Sequence, residues 1–263
     1  MSELDKLRLE ISDKVSQYYD CAHKRRVFVP GETKVNYGGR VFDQDEMINM
    51  VGAVLDFWLT AGPCTREFEQ QFGRYLGVRE VVPVNSGSSA NLVAVTTLCS
   101  KQLRGKHLNP GDEVIVPATS FPTTVAPLVQ NRLVPVFVDC TMGDYNLDPK
   151  EMKKAVTDRT RAVMFAHTLG NPADMDIIIP IVEENNLFLI EDTCDALGST
   201  FGGRMVGTFG DLATASFYPA HHITTGEGGA VYTKSRRLAR IARVLRDWGR
   251  DCWCGYDNPY EGK

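Results

Sequence analysis

The chain lacks two features that would assign it to a membrane or to a nucleic-acid partner. No stretch of its 263 residues approaches the ~20 consecutive apolar residues of a membrane-spanning helix, and the segment from Met1 to Lys6 lacks the charged-then-apolar layout of a signal peptide. The formal net charge is only −4, so the chain has no general attraction to a polyanion. We therefore expect a cytoplasmic protein with neither membrane nor nucleic acid as partner.

With no signal peptide expected, the seven cysteines do not indicate a disulfide framework. Four of them stand alone in the sequence: Cys21, Cys64, Cys99 and Cys140. We expect these four to be inert thiols, in the core or on the surface, since a free cysteine behaves as a small hydrophobe.

The hydrophobic pattern divides the chain into a helical start and a longer α/β region. Residues 3–20, 44–59 and 66–76 place apolar and charged side chains at helical spacing. From residue 80 onward, short β-branched runs alternate with helix-length segments, which is typical of a mostly parallel α/β sheet. The runs are 81–84, 113–116, 133–138, 162–165 and 187–190.

Two further strands, 213–217 and 229–233, and a helix from Ser235 to Arg250 are predicted after these runs. We therefore divide the chain into three regions. They are an N-terminal helical segment, residues 1–78; a large α/β domain, residues 79–251; and the start of a C-terminal region, residues 252–263.

A serine- and glycine-rich turn, Asn85 to Asn91, lies between a predicted strand and a predicted helix. Glycine permits a tight turn, and the amides at a helix N-terminus attract a phosphate monoester. Taken alone, such a turn more often only caps its helix. Two side chains that follow later strands suit an aromatic ligand. Phe121 could stack on a flat heteroaromatic ring, and Asp192 could pair with a protonated pyridine nitrogen.

The segment from Ser216 to Ala230 adds a hydroxyl, at Ser216, and a histidine pair, His221 and His222. Together, and in this order, the four motifs resemble the pyridoxal-phosphate site of the DegT/DnrJ/EryC1/StrS sugar aminotransferase family. The resemblance covers roughly residues 35–250. It implies a fold-type I, aspartate aminotransferase-like α/β fold, with a mostly parallel sheet flanked by helices, and a homodimer.

Carried over position by position, the resemblance implies which residues hold the cofactor. It makes Gly87, Ser88 and Ser216 phosphate contacts, Phe121 the ring-stacking residue and Asp192 the partner of the pyridine nitrogen. It places Asp195 beside the ring, at a position where the family usually has glutamine or histidine.

His221 occupies the position of the family's cofactor-binding lysine. Imidazole cannot make the covalent link that tethers the cofactor, but it can carry a proton near neutral pH. In the family, this exchange marks 3-dehydratases that act on nucleotide-linked 4-keto-6-deoxyhexoses and hold pyridoxamine phosphate without a covalent bond. The resemblance thus implies that His221 is the catalytic base.

Three cysteines resemble one branch of these dehydratases. The spacing from Cys194 to Cys252, and from Cys252 to Cys254, matches three ligands of the [2Fe–2S] cluster in CDP-4-keto-6-deoxy-D-glucose 3-dehydrases, which take electrons from an NAD(P)H-dependent iron–sulfur flavoprotein reductase. The branch serves the synthesis of 3,6-dideoxyhexoses for lipopolysaccharide O-antigen. The fourth ligand is expected at residue 262, which is glycine here.

The same reading predicts a C-terminally truncated chain whose C-terminal lobe is largely missing. Three alternatives stay open at this point. The chain could resemble the cluster-free GDP-4-keto-6-deoxymannose 3-dehydratases, it could be a sugar aminotransferase that has changed its lysine, or it could be an inactive remnant.

Overall fold

The structure is a computed structural model that describes residues 1–23, 27–35, 41–58 and 60–249. It divides into two compact units, Met1–Arg66 and Glu67–Lys263. No helix within these described ranges is both long enough and apolar enough to cross a membrane. The predicted region 252–263 lies outside the described residues.

The described part of the first unit includes the helices α1 (Glu3–Ala22) and α2 (Gln44–Leu55). Each helix begins at a capping box, Ser2 with Asp5 and Asp43 with Glu46, in which side chain and backbone satisfy each other's free N–H groups. The predicted second helix ran to residue 59. It ends earlier because Phe57 adopts a left-handed backbone conformation, with a φ of 50°, that a helix cannot continue.

The second unit is built on a seven-stranded sheet. Its strands are β1 (Glu80–Val84), β2 (Glu113–Pro117), β3 (Val134–Val138), β4 (Thr160–Ala166), β5 (Phe188–Asp192), β8 (Leu212–Ser216) and β9 (Gly229–Thr233), and a separate hairpin joins β6 (Thr200–Phe201) to β7 (Arg204–Met205). The order in the sheet is β1-β9-β8-β5-β4-β2-β3. Each predicted strand is present, within one or two residues of its predicted bounds.

The helices that pack on this sheet are α4 (Gly87–Leu98), α5 (Pro122–Gln130), α6 (Pro149–Ala155), α7 (Met175–Glu184) and α8 (Arg236–Arg246). Helix α3 (Pro63–Leu76), which precedes β1, also packs on it, through Phe72 and Leu76 against β1, β8 and β9. Alternate residues of a strand face opposite sides. Val114 and Val116 accordingly belong to the core beneath α4, α5 and α8, and Ile115 belongs to the core beneath α6 and α7. Helices therefore cover both faces, as the predicted fold class requires.

The direction of the strands gathers the sequence motifs at one edge of the sheet. Strands β2, β4, β5 and β8 run parallel. Strand β9 is antiparallel to both β8 and β1, so β1 points the same way as β8. The turn after β1, and the segments after β2, β5 and β8, thus meet at the carboxyl edge, where ligands bind in open α/β sheets.

The last helix is shorter than predicted. Helix α8 begins at the Ser235 cap, whose hydroxyl accepts a hydrogen bond from the Leu238 N–H, but it ends at Arg246 rather than at residue 250. Trp248 and Gly249 both have positive φ angles, of 69° and 73°, which stop the right-handed helix.

Candidate active site

A cavity of about 620 Å³ opens at the carboxyl edge of the sheet. Every predicted site residue that the structure describes contributes to its wall: Gly87, Ser88, Phe121, Asp192, Cys194, Asp195, Ser216 and His221. The sequence motifs therefore converge on one place. The other two predicted residues, Cys252 and Cys254, lie outside the described residues.

Five further residues line the cavity without having been singled out in the sequence: Ser86, Thr123, Ala166, Tyr218 and Glu227. Ser86, Tyr218 and Glu227 lie inside motifs that were recognised, so their position in those motifs was the available signal. Ala166 ends β4 and carries no polar group, so no sequence signal points to it.

One end of the cavity is formed by the start of α4. The Ser86 hydroxyl caps this helix by accepting a hydrogen bond from the Ser89 N–H at 3.1 Å. Gly87 lies so close to β8 that a Cβ atom placed on it would be 2.5 Å from the Cβ of Ser216. Only glycine allows this approach, which brings the Ser216 hydroxyl and the helix N-terminus together as donors for an anion.

Asp192 is the buried carboxylate of the cavity, with 4% of its surface exposed. It ends β5 and accepts two hydrogen bonds within the protein. The backbone N–H of Cys194 donates to Oδ1 at 3.0 Å, and the Asn91 amide donates to Oδ2 at 2.9 Å. Each carboxylate oxygen can accept more than one hydrogen bond, so Asp192 keeps capacity for a donor in the cavity.

Phe121 stands at the cap of α5, and 66% of it is exposed. An aromatic side chain this open is not part of a hydrophobic core. Its ring is available to a ligand, as the predicted stacking role requires.

His221 lies in the loop between β8 and β9, beside Asp195. The Nδ1 atom of His221 is 3.5 Å from Oδ1 of Asp195, an electrostatic contact slightly longer than a hydrogen bond. A carboxylate on this side favours the tautomer with a proton on Nδ1, which leaves Nε2 free to accept one. The ring of Tyr218 is 6.4 Å away, edge to face.

Cys194 is the one predicted cluster ligand that can be placed. Burial raises the pKa of its thiol well above the usual range, and the negative charges of Asp192 and Asp195 raise it further. The thiolate is the form that binds metal, so this environment favours it only when a positively charged centre is present. Among the described residues, no group of three or more potential ligands could hold a metal ion.

The donor set of the cavity fits a pyridoxal- or pyridoxamine-phosphate cofactor. A helix N-terminus with hydroxyls beside it suits the phosphate, a buried carboxylate suits the ring nitrogen, and Phe121 offers a flat face. The volume lies within the range of small-molecule sites. The wall contributed by described residues contains no lysine, and His221 is its basic side chain.

This fold and this site define a class of protein, and comparison with known families identifies it. The family model for the DegT/DnrJ/EryC1/StrS aminotransferase family matches residues 42–262. The chain therefore belongs to this family, and both the resemblance and the predicted fold class are confirmed.

Within the family, the chain is similar to 3-dehydratases. It is 57% identical to dTDP-4-dehydro-2,6-dideoxy-D-glucose 3-dehydratase of Saccharopolyspora spinosa, over 91% of this chain and 52% of that protein. It is 52% identical to the lipopolysaccharide biosynthesis protein RfbH of Salmonella typhimurium, over 96% of this chain and 58% of that protein. The chain thus spans about half the length of the curated relatives it matches.

A solved structure of similar fold contains pyridoxal phosphate. The fold matches that of an E. coli GDP-4-keto-6-deoxy-D-mannose-3-dehydratase with bound hydrated PLP, with a TM-score of 0.74 and 36% identity over 81% of this chain and 54% of that one. A relative of this fold therefore holds the cofactor that the donor set fits.

Proposed function

We propose that this chain removes the C3 hydroxyl from a nucleotide-linked 4-keto-6-deoxyhexose, with pyridoxamine phosphate as cofactor. The observation that carries the proposal is that His221 lines the cavity, at the position that the family resemblance gives to the cofactor-binding lysine. The names of two relatives, which are 3-dehydratases, support the same reaction.

We assign the cofactor contacts as the sequence predicted them. Gly87, Ser88 and Ser216 bind the phosphate, Phe121 covers one face of the ring and Asp192 accepts a hydrogen bond from the protonated ring nitrogen. When bound, the cofactor supplies an amine that condenses with the C4 ketone and a ring that withdraws electrons from it. Asp195 lines the same cavity, with Oδ1 3.5 Å from Nδ1 of His221, and we place it beside the ring.

The proton transfer is the task of His221. Its Nε2 atom would take up the proton that leaves the C4′ carbon of a bound cofactor, while Asp195 stabilises the charge that develops on the imidazole. The same nitrogen can return a proton to the departing C3 oxygen, so that hydroxide leaves as water. Because a histidine forms no covalent bond to the cofactor, the reaction is directed to dehydration rather than to ordinary amino transfer.

For the nucleotide we propose CDP, with 3,6-dideoxyhexose synthesis for lipopolysaccharide O-antigen as the destination. The cysteine spacing supports this branch, and so does similarity to RfbH. A dTDP-linked sugar, as in the name of the Saccharopolyspora relative, and a GDP-linked sugar are the alternatives that the substrate test must separate.

We further propose that Cys194, Cys252 and Cys254 are ligands of a [2Fe–2S] cluster and that an NAD(P)H-dependent reductase is the electron-donating partner. The iron of a cluster would provide the positive charge that stabilises the Cys194 thiolate. Iron and acid-labile sulfide, measured on protein purified without oxygen, should fall on Cys194→Ser. Cluster-free wild-type protein would contradict this assignment.

Three further proposals concern the setting of the enzyme. We propose a homodimer, a cytoplasmic location and a division into a helical segment over residues 1–78, a cofactor-binding domain over residues 79–251 and a C-terminal region from residue 252. Each rests on the family resemblance or on the sequence pattern.

The substrate test incubates the protein with pyridoxamine phosphate and, separately, CDP-, dTDP- and GDP-linked 4-keto-6-deoxyhexoses. Mass spectrometry should show loss of the C3 oxygen, fastest for the CDP-linked sugar. A product that keeps the C3 oxygen and gains an amine at C4 would instead indicate an aminotransferase. Protein that binds no cofactor would indicate an inactive remnant.

A further inference from the structure

Asn91 ends the serine- and glycine-rich turn motif, yet none of the proposed contacts uses it. It lies on the second turn of α4 with only 1% of its surface exposed. A primary amide buried this completely must find partners for its polar atoms, and two of its three partners line the cavity.

The Asn91 side chain joins four elements of the fold. Its Nδ2 group donates to Oδ2 of Asp192 on β5 at 2.9 Å and to the hydroxyl of Thr123 on α5 at 3.3 Å. Its Oδ1 atom accepts a hydrogen bond from the hydroxyl of Thr214 on β8 at 2.7 Å. Asp192 and Thr123 both line the cavity.

The chemistry of these partners fixes the orientation of the amide. An ionised carboxylate can only accept hydrogen bonds, so the NH₂ group must face Asp192 and the oxygen must face Thr214. The Cys194 N–H holds the other oxygen of Asp192 at 3.0 Å. With one donor on each oxygen, the carboxylate cannot rotate about its Cβ–Cγ bond without breaking a buried hydrogen bond.

We propose that Asn91 is a positioning residue, which holds the Asp192 carboxylate in the orientation that receives the protonated ring nitrogen of the cofactor. This inference rests on the proposed function, since it takes Asp192 as the partner of that nitrogen. An acceptor held in place before binding loses little conformational freedom when the ligand arrives. Affinity for a ring with a nitrogen should therefore depend on Asn91.

The test compares two ligands on the 263-residue protein: pyridoxamine phosphate and its analogue with a C–H in place of the ring nitrogen. Dissociation constants are measured by equilibrium dialysis for the wild type and for Asn91→Leu. We expect the variant to bind pyridoxamine phosphate about tenfold more weakly, or about 1.4 kcal/mol, while its affinity for the analogue stays unchanged. Asp192→Asn should likewise lose the preference of the wild type for pyridoxamine phosphate over the analogue.

Two more variants separate positioning from stability. Asn91→Ala removes the same amide without adding bulk and favours the helix, so it replaces Asn91→Leu if that variant does not fold. Thr97→Val is the matched control on α4, because its buried hydroxyl has no hydrogen-bond partner among the described residues. Thr97→Val should leave both dissociation constants unchanged.

The outcomes are distinguishable. Equal weakening of both ligands in the Asn91 variants, or no weakening of either, would overturn the positioning role and leave the proposed function intact. A wild-type protein that binds neither ligand would overturn the proposed function and this inference with it.

Discussion

At the scale of single residues, the shape of the cavity depends on how closely two of its wall residues approach each other. Gly87 at the start of α4 faces Ser216 at the end of β8, and the space between them is smaller than one methyl group. The contact places a helix N-terminus and a hydroxyl around one point, where the proposed phosphate binds. A side chain at residue 87 would have to push α4 away from β8.

We expect Gly87→Ala to weaken binding of pyridoxamine phosphate and to lower the free energy of unfolding by about 1–3 kcal/mol, the usual cost of overpacking. Denaturant unfolding and cofactor titration measure the two effects. Gly52→Ala is the control, since it lies inside α2 with no atom near its added methyl group. That change should stabilise the protein by about 0.5–1 kcal/mol. Unchanged cofactor affinity in Gly87→Ala would contradict the assigned phosphate site.

At the scale of elements, the sequence predicted the strands well because their β-branched runs are short, buried and regularly spaced. The ends of α2 and α8 were wrong by a few residues, since Phe57 and Trp248 adopt positive φ angles that their residue types disfavour. Contacts between distant elements were also missed. Packing, which no local pattern encodes, sets the hydrogen bond from Asn91 to Asp192. It also sets the contact between Asp195 and His221.

Glu191 shows how such packing holds the site. It is fully buried on β5, next to Asp192, and its carboxylate accepts hydrogen bonds from the backbone N–H groups of Gly207, Phe209 and Gly210 at 2.6–2.8 Å. The His167 Nε2 atom lies 3.1 Å from the same carboxylate. Because the Ala173 N–H donates to Nδ1 of His167, Nε2 must carry the proton that points to Glu191.

We expect Glu191→Gln to cost about 3 kcal/mol of stability, because a glutamine turns an NH₂ group toward two of these buried donors and leaves them unsatisfied. Chemical denaturation followed by circular dichroism measures the change. Glu184→Gln is the control, since Glu184 is an exposed residue at the end of α7 and should have little effect. Equal stability of the two variants would contradict the structural role of Glu191.

At the scale of the whole molecule, the strand directions bring chemistry from distant parts of the sequence to one cavity. Motifs after β1, β2, β5 and β8 meet because these strands point the same way. The resemblance to a cofactor-binding family was predictable from those motifs, and the family is confirmed by the match over residues 42–262. The roles of the individual residues, and the cluster ligands beyond residue 249, stay predictions.

In the reaction that we propose, His221 carries the proton that permits the C3 oxygen to leave. The most direct test of this claim is a single-turnover reaction with substrate labelled by heavy oxygen at C3, in the wild type and in His221→Asn, at equal occupancy of pyridoxamine phosphate. We predict that the wild type releases the label into water and that the variant does so about 10²- to 10⁴-fold more slowly. Release at the wild-type rate by His221→Asn would contradict the claim.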